Sequence, residues 1–542
     1  MQLISAVVFS AVVSGCFGQN ETFPTWFLFG AATAAYQIEG GWYADDKGES
    51  MWDRLLHSND ITLDSSNADV ACDSYHLWKR DIEVAKELGL NMYRFSISWP
   101  RILPSGYPNQ VSEDGKKYYN NLIDGLLEKG IQPVVTMYHW DLPQSLQDLG
   151  GWANPLITTW FADYARVLFT LFGDRVKYWI TLNEPLAICD GGYNKMAAPY
   201  LDDMKIGGYL CNKHVLLAHA AAYRIYEKEF QSLYFGKLSM ANVFFWFKPE
   251  KTTDDEATKL AIQMWEGRYA HPIYSESGGW PPELEKILAE NSKKEGYPYP
   301  RLPPFTPEEI EFVKGTYDFY ALNHYTTRLV RKVNPEKAGS WPYYGCKEIG
   351  VDFVNDPTWK TAVIDWFAAR NFINLHNNNR SKTILIQLFL PQATCETLAL
   401  NSSNIRSSYV FLFQIYPEGL REQLYWINKT YGVDQVMITE NGYPDLNDDL
   451  FDVQRMTYIK TMLQQVLLAI NDGIHVMGYT VWSMMDNFEW VTGYKTKYGL
   501  YAVDFLSPNL TRTPRESARF YSSVTKGRRI PKYRVLVDYE DV

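Results

Sequence analysis

The stretch VKYWITLNEP, residues 176–185, starts as a β-rich apolar run and ends in an amide, a carboxylic acid and a proline. Its apolar residues do not alternate strictly with polar ones, which suits a parallel strand covered on both faces. Pro185 biases Glu184 away from the helical region and removes a backbone donor, so the strand ends where the acid stands. Glu184 is therefore expected at the rim of a sheet and not in its core.

Seven further runs share this character: FLFGAATA (27–34), NMYRFSISW (91–99), IQPVVTMYHW (131–140), LSMANVFFWF (238–247), YDFYALNHY (317–325), QVMITEN (435–441) and HVMGYTVWS (475–483). Helical-period connectors and long loops lie between them. YHLWKRDIEVAKELGL precedes the second run, and KKYYNNLIDGLLEKG precedes the third and closes on the glycine that a helix C-terminus prefers. Eight such units without a compositional break predict an α/β fold, a single (β/α)8 TIM barrel with elaborated βα loops, over 19–542. A fixed-period sequence repeat is absent, so the repetition is structural. One stretch breaks the pattern. From about 368 to 412 the chain is Asn- and Ser-rich and carries Glu396 as its one acid. Its flanks are read as strand-free sequence leading to an amphipathic helix, and both an inserted surface loop and the translation of a retained intron account for it.

At 542 residues, 46% hydrophobic and 21% charged, the chain can bury a large core. A formal charge of -11 and a pI near 5.4 oppose a general nucleic-acid binder, because phosphate backbones attract basic faces. Residues 1–18, MQLISAVVFSAVVSGCFG, hold an apolar run too short to span a bilayer and end in small residues, as a secretory signal peptide does. Five sequons, at Asn20, Asn379, Asn401, Asn428 and Asn509, fit a glycosylating secretory route. Secretion is thus expected, with a lumenal compartment as the alternative and no stable membrane insertion. Cys72, Cys189, Cys211, Cys346 and Cys395 follow neither CxxC nor zinc spacing; one disulfide is open in an oxidising compartment, Cys189 with Cys211 among the pairings. No HExxH, P-loop or dinucleotide fingerprint occurs, so no metal and no cofactor are expected. His214 and His219 are spaced poorly for one helix face and are read as structural.

The predicted strand ends are unusually polar. They offer Gln37 and Glu39, Arg94, His139-Trp140-Asp141, Asn183-Glu184, Asn242, Asn323-His324-Tyr325, Glu440-Asn441, and Trp482 with Asn487-Phe488-Glu489-Trp490. Active groups of such barrels sit at the C-terminal ends of the strands. Carboxylates and amides bond vicinal hydroxyls while indoles cover the apolar face of a pyranose, so this set suits a sugar. Taken singly, each residue has a plainer reading: a solvated strand exit, a hairpin Asn-Gly, a core imidazole. Eight polar strand ends together are costly to stability unless a ligand uses them.

TLNEP with ITENG, plus AAYQIEGG, YRFSISWPRI, TMYHWDLPQ, NHYTT and WSMMDNFEW, resemble glycoside hydrolase family 1, the β-glucosidase and myrosinase family, over about residues 23–535. The resemblance implies a retaining β-glycosidase with Glu184 as general acid/base and Glu440 as nucleophile, working by double displacement through a covalent glycosyl-enzyme. Arg94 and Tyr325 would hold Glu440 charged and oriented. By similarity Gln37, His139, Trp140, Asn183, Asn323, Tyr325, Trp482, Glu489 and Trp490 would bind the sugar, with Tyr498 of KYGLY nearby. A carboxylate at Glu489 would repel a 6-phosphate, so unphosphorylated β-D-glucosides are expected, with β-fucosides, β-galactosides or thioglucosides as seconds. The insertion is the main departure from the family pattern. Competing expectations are a catalytically inert sugar-binding or interaction module, and a transglycosidase. The partner is a small β-glycoside, and a homodimer is carried as an expectation.

Overall fold

The computed structural model describes residues 21–339, 343–364 and 412–532. The expected leader at 1–18 and nearly all of the insertion lie outside the described residues. All eight apolar runs form strands: β1 (Leu28–Ala32), β2 (Met92–Ser96), β3 (Gln132–Tyr138), β4 (Tyr178–Asn183), β5 (Lys237–Pro249), β6 (Tyr320–Lys332), β7 (Val436–Asn441) and β8 (Val476–Trp482). Each pairs in parallel with the next, and β8 pairs with β1 from Leu28↔Gly478 to Ala32↔Trp482, which closes the ring. This is the (β/α)8 barrel that the repeated strand–helix units predict. Met92, Val134, Ile180, Ala241, Ala321 and Met437 form one buried apolar cluster, drawn from strands all round the ring.

The two quoted helical connectors fold as read. In α1 (Ser74–Glu87) Ile82, Val84 and Ala85 are buried; in α2 (Glu113–Glu128) the buried set is Tyr118, Tyr119, Leu122, Ile123 and Leu126, one stripe at helical spacing. The Ser112 hydroxyl caps α2 by accepting from the Gly115 N–H at 3.0 Å, and Glu113 and Asp114 complement its N-terminal dipole. Gly130 then takes φ +73°, which lets the chain turn directly into β3. Burying each leucine of that stripe contributes about 1.5–3 kcal/mol.

Strands β5 and β6 continue as a paired ribbon beyond the barrel, from Ala241↔Ala321 to Pro249↔Val330. The short strand Val351–Val354 adds to it antiparallel. The flanks of the insertion are not strand-free: Lys360–Ile364 pairs antiparallel with Leu412–Ile415, and Ile364 stands opposite Leu412. Short strands separated by so long a segment leave no local periodicity to read, because their pairing is set by the scaffold beneath. Thr326 of β6 donates its hydroxyl to the Gln414 carbonyl at 2.7 Å, tying this hairpin to the barrel mouth.

Cys189 and Cys211 form a disulfide that joins the loop after β4 to helix α3 (Tyr209–Ile225). The two histidines of α3 have structural partners: His219 bonds the Thr181 hydroxyl and the Thr316 carbonyl at 2.7 Å each, and His214 bonds the Trp152 carbonyl at 3.0 Å.

Candidate active site

Strand β4 ends abruptly at Glu184, which takes φ +53°, and the chain enters a helical turn at Pro185. That left-handed conformation is strained for a residue with a Cβ, and two contacts hold it. The Glu184 N–H donates to the Ala241 carbonyl at 2.8 Å, and Asn323 Nδ2 donates to Glu184 Oε1 at 2.7 Å. The carboxyl is 6% exposed. Burial, and then the charge of Glu440, holds it well above the usual carboxylate range, against the opposing Asn323 hydrogen bond.

Glu440 lies at the end of β7 and is 3% exposed. Arg94 Nη1 donates to its Oε1 at 2.5 Å, and the Tyr325 hydroxyl donates to its Oε2 at 2.6 Å, so both oxygens are fixed. Arg94 is anchored in turn by Thr136 Oγ1, the Thr439 carbonyl and Asn183 Oδ1. Removing Arg94 would leave a buried charge uncompensated, at a cost of about 3–5 kcal/mol. Asn183 links the two acids: its Oδ1 accepts from Arg94 at 2.7 Å and from Asn323 at 3.1 Å.

The two carboxyl groups face one cavity at the barrel mouth. Of the sequence-predicted sugar binders, His139, Trp140, Asn183, Tyr325, Trp482, Glu489 and Trp490 line it, together with Tyr498. Asn183 Nδ2 donates to His139 Nε2 at 3.0 Å, which assigns the proton to Nδ1; that atom is buried and has no partner in the protein. Burial, reinforced by Arg94, lowers the imidazole well below its ordinary range, so it stays neutral. The His139 ring lies 5.8 Å from Trp482 and 6.0 Å from Trp490, both nearly parallel, and Trp140 fixes itself by donating Nε1 to the Asn183 carbonyl at 2.9 Å.

Gln37 stands beside this wall. Its Nε2 donates to Asn487 Oδ1 and the Phe488 carbonyl at 2.9 Å and approaches Glu489 Oε2 at 3.3 Å, while its own Oε1 is buried and unbonded. Asn323 stands behind the cavity wall, beside Glu184. Its Nδ2 serves Glu184 and Asn183 and its Oδ1 accepts from Thr439 at 2.7 Å, so the amide positions the acid from outside the cavity lining. Other polar strand ends are also internal: Glu39 pairs with Arg101 and Tyr119, His324 with Gln423, and Asn441 with Tyr458 and Tyr479. Sequence reasoning missed Val243, Phe245, Thr326, Tyr343 and Phe413 on the cavity wall. The first two continue the β5 run in alternation and so carried a signal; the last two read as ordinary core aromatics. Among the described residues no group of histidine, cysteine or acidic side chains could hold a metal ion.

One carboxyl kept protonated and one carboxylate kept oriented, both facing one cavity, can perform acid-assisted displacement at an acetal carbon. The family model described as Glycosyl hydrolase family 1 matches residues 19–530. Myrosinase 1 of Brevicoryne brassicae is 44% identical over 507 residues, covering 93% of this chain and 98% of that protein. The cytosolic beta-glucosidase of Homo sapiens is 37% identical over 511 residues, covering 93% and 98%. Among solved structures, an aphid myrosinase superposes with a TM-score of 0.81 at 43% identity, covering 93% of this chain and 99% of that one. A rice beta-glucosidase mutant in a covalent complex with Glc superposes with a TM-score of 0.77 at 34% identity, covering 93% and 99%. Matched almost from end to end in both sequence and fold, the chain belongs to glycosyl hydrolase family 1.

Proposed function

We propose that this family member is a secreted retaining β-glucosidase in which Glu184 is the acid/base and Glu440 the nucleophile. The observation that carries this reading is the contrast between the two acids: Glu184 is held protonated by burial and by Glu440, while both oxygens of Glu440 accept from Arg94 and Tyr325. Glu184 gives its proton to the glycosidic oxygen as Glu440 attacks the anomeric carbon, and the aglycone leaves as an alcohol. Esterification removes the charge of Glu440 and with it part of what held the proton on Glu184. Glu184, now a carboxylate, takes a proton from water, which attacks the anomeric carbon and releases the sugar with its configuration retained.

The glycone is an unphosphorylated β-D-glucoside. Glu489 on the cavity wall would repel a 6-phosphate, and the β-glucosidases and myrosinases among the relatives support glucosides on oxygen or sulfur. Secretion is supported by the Cys189–Cys211 disulfide, by the exposed sequons at Asn428 and Asn509, and by the start of the family match at residue 19, just after the expected leader. Among the described residues no helix is long and apolar enough to cross a membrane.

The test is nitrophenol release from a nitrophenyl β-glucoside by the full chain and by a chain lacking 365–411, each beside its Glu440→Gln variant. Hydrolysis by both parents and by neither variant is expected, because Ile364 and Leu412 are cross-strand partners that a short turn can join. Folded parents that hydrolyse no β-glycoside would overturn the reading and favour an inert sugar-binding module.

A further inference from the structure

The strand ladders slip where Glu440 stands. Along β7 the pair Ile438↔Leu322 is followed by Glu440↔Asn323 on one side, and Ile438↔Tyr479 by Asn441↔Val481 on the other, so β7 carries an extra residue against each neighbour. Along β6 the pair Phe244↔His324 is followed by Trp246↔Thr327, which puts Tyr325 inside a second irregularity. Such bulges re-aim side chains, here Glu440 and Tyr325 into one cavity, and they interrupt the regular backbone pairing that would otherwise fix both residues. Buried side chains take over that task. Asn441 Nδ2 donates to the His324 carbonyl at 2.6 Å and to the Tyr458 hydroxyl at 3.0 Å, while Asn441 Oδ1 accepts from the Tyr479 hydroxyl at 2.6 Å. Tyr458 stands on helix α4 (Val453–Asn471), and its hydroxyl donates to the Tyr325 carbonyl at 2.8 Å. The Tyr325 hydroxyl in turn donates to Glu440 Oε2 at 2.6 Å. The path closes on itself. It runs from Glu440 along the chain to Asn441, across the Tyr458 hydroxyl to the Tyr325 backbone, and through the Tyr325 side chain back to the Glu440 carboxylate.

From this closed path we propose that Tyr458 is a positioning residue for the nucleophile: its hydroxyl, accepting from β7 and donating to β6, sets where the Tyr325 hydroxyl meets Glu440. The proposal rests on the glycosidase reading above and deepens it. Tyr458 and Asn441 are both buried and neither lines the cavity, so Tyr458 acts through Tyr325 and never on the sugar. The brace lies past the last backbone pair between the two strands, Glu440↔Asn323, where the ladder no longer holds them in register. Attack on the anomeric carbon depends steeply on the placement of the carboxylate, whereas binding of the sugar spreads over the whole wall. Loss of the brace should therefore slow the covalent step and leave affinity almost unchanged. Phenylalanine at this position would keep the ring packing against Tyr443, 5.8 Å away, and remove only the hydroxyl.

The test uses the full chain and its Tyr458→Phe, Tyr325→Phe and doubly substituted variants. The first-order rate of covalent labelling at saturating 2,4-dinitrophenyl 2-deoxy-2-fluoro-β-glucoside reads the attack of Glu440, and calorimetry with a phenyl C-glucoside, which has no leaving oxygen, reads binding. In Tyr458→Phe labelling is expected to slow about ten- to hundredfold, with the C-glucoside bound as tightly as by the parent. In the Tyr325→Phe background the same exchange is expected to slow labelling much less, because the hydroxyl that Tyr458 positions is already gone. If Tyr458→Phe does not fold, Tyr479→Phe, which releases Asn441 Oδ1, is expected to show the same slowing with unchanged binding. Labelling at the parent rate in the folded variant overturns the inference and leaves the glycosidase reading standing. Losses that multiply fully in the double variant, or a slowing matched by an equal loss of binding, also overturn it, since either is the mark of general loosening. A parent that is never labelled at Glu440 overturns the glycosidase reading and this inference with it.

Discussion

Replacing Glu184 by glutamine removes a proton donor while leaving the shape of the site intact. Glutamine keeps an Oε1 to accept from Asn323 Nδ2, a bond of 2.7 Å, and the backbone N–H bond to Ala241 is unaffected. Because burial and Glu440 keep the native carboxyl protonated, the exchange is also neutral for neutral before the reaction begins. The loss is then general-acid catalysis, worth about 10²–10⁴ in rate, or about 2.7–5.5 kcal/mol of barrier. A methyl or phenyl glucoside, whose leaving group needs the proton, should lose that full factor in kcat/KM. A 2,4-dinitrophenyl glucoside departs without assistance, so its kcat/KM should change little. Its kcat should still fall, because no base remains to activate water in the second step, and added azide, a nucleophile that needs no base, should restore it. Steady-state kinetics on the two glucosides, with and without azide, reads all three quantities. Equal losses for both leaving groups, or undiminished hydrolysis of the methyl glucoside, would refute the assignment of Glu184 as the proton donor.

Further expectations come from the same structure. Hydrolysis of unactivated glucosides needs protonated Glu184, so activity should decline as pH rises through its raised pKa. In Glu440→Gln the second-largest cause of that elevation is gone while burial remains, so Glu184, followed by infrared or NMR titration, should titrate lower than in the parent yet still above an ordinary glutamate. Glu266 is 1% exposed with neither carboxyl oxygen bonded, and burial raises its pKa well above the ordinary value. The native state thus keeps a proton that the unfolded chain releases once pH passes the ordinary glutamate range, so its contribution to stability diminishes as pH rises. Glu266→Met should therefore stabilise the protein by about 1–3 kcal/mol, and the gain in thermal midpoint should be larger at pH 8 than at pH 5. Cys211→Ala opens the link to Cys189, 22 residues away in sequence, and should lower stability by about 3 kcal/mol; an unchanged thermal midpoint would show that the closed loop contributes nothing.

All eight strands were legible because a barrel strand covered on both faces must be written as an apolar run, and because most runs carry polar residues at or just past their ends. The catalytic pair was legible for a related reason: Glu184 and Glu440 interrupt apolar sequence where no structural purpose calls for charge. What could not be read depended on partners distant along the chain. An amide at Asn323 would serve a sugar hydroxyl or a neighbouring carboxyl equally well, and only the folded geometry shows it bonded to Thr439, Asn183 and Glu184. Phe413 is one of 83 aromatic residues, 18 Trp, 38 Tyr and 27 Phe, with no local pattern to distinguish it, and its place on the cavity wall depends on pairing with the far flank of the insertion. The extension of β6 past the barrel was hidden because TTRLVRK reads as polar loop once the apolar run ends.

The central claim is that Glu440 becomes covalently attached to the sugar. Incubation with a 2-deoxy-2-fluoro-β-glucoside bearing a dinitrophenyl leaving group, followed by proteolysis and mass spectrometry, tests it directly, since the fluorine slows both steps while the dinitrophenyl leaving group speeds formation of the glycosyl-enzyme alone. The account predicts time-dependent inactivation and one fluoroglucosyl group on the peptide containing Glu440, with none in Glu440→Gln. Inactivation with the label on another residue, or turnover that never passes through a labelled protein, would contradict it.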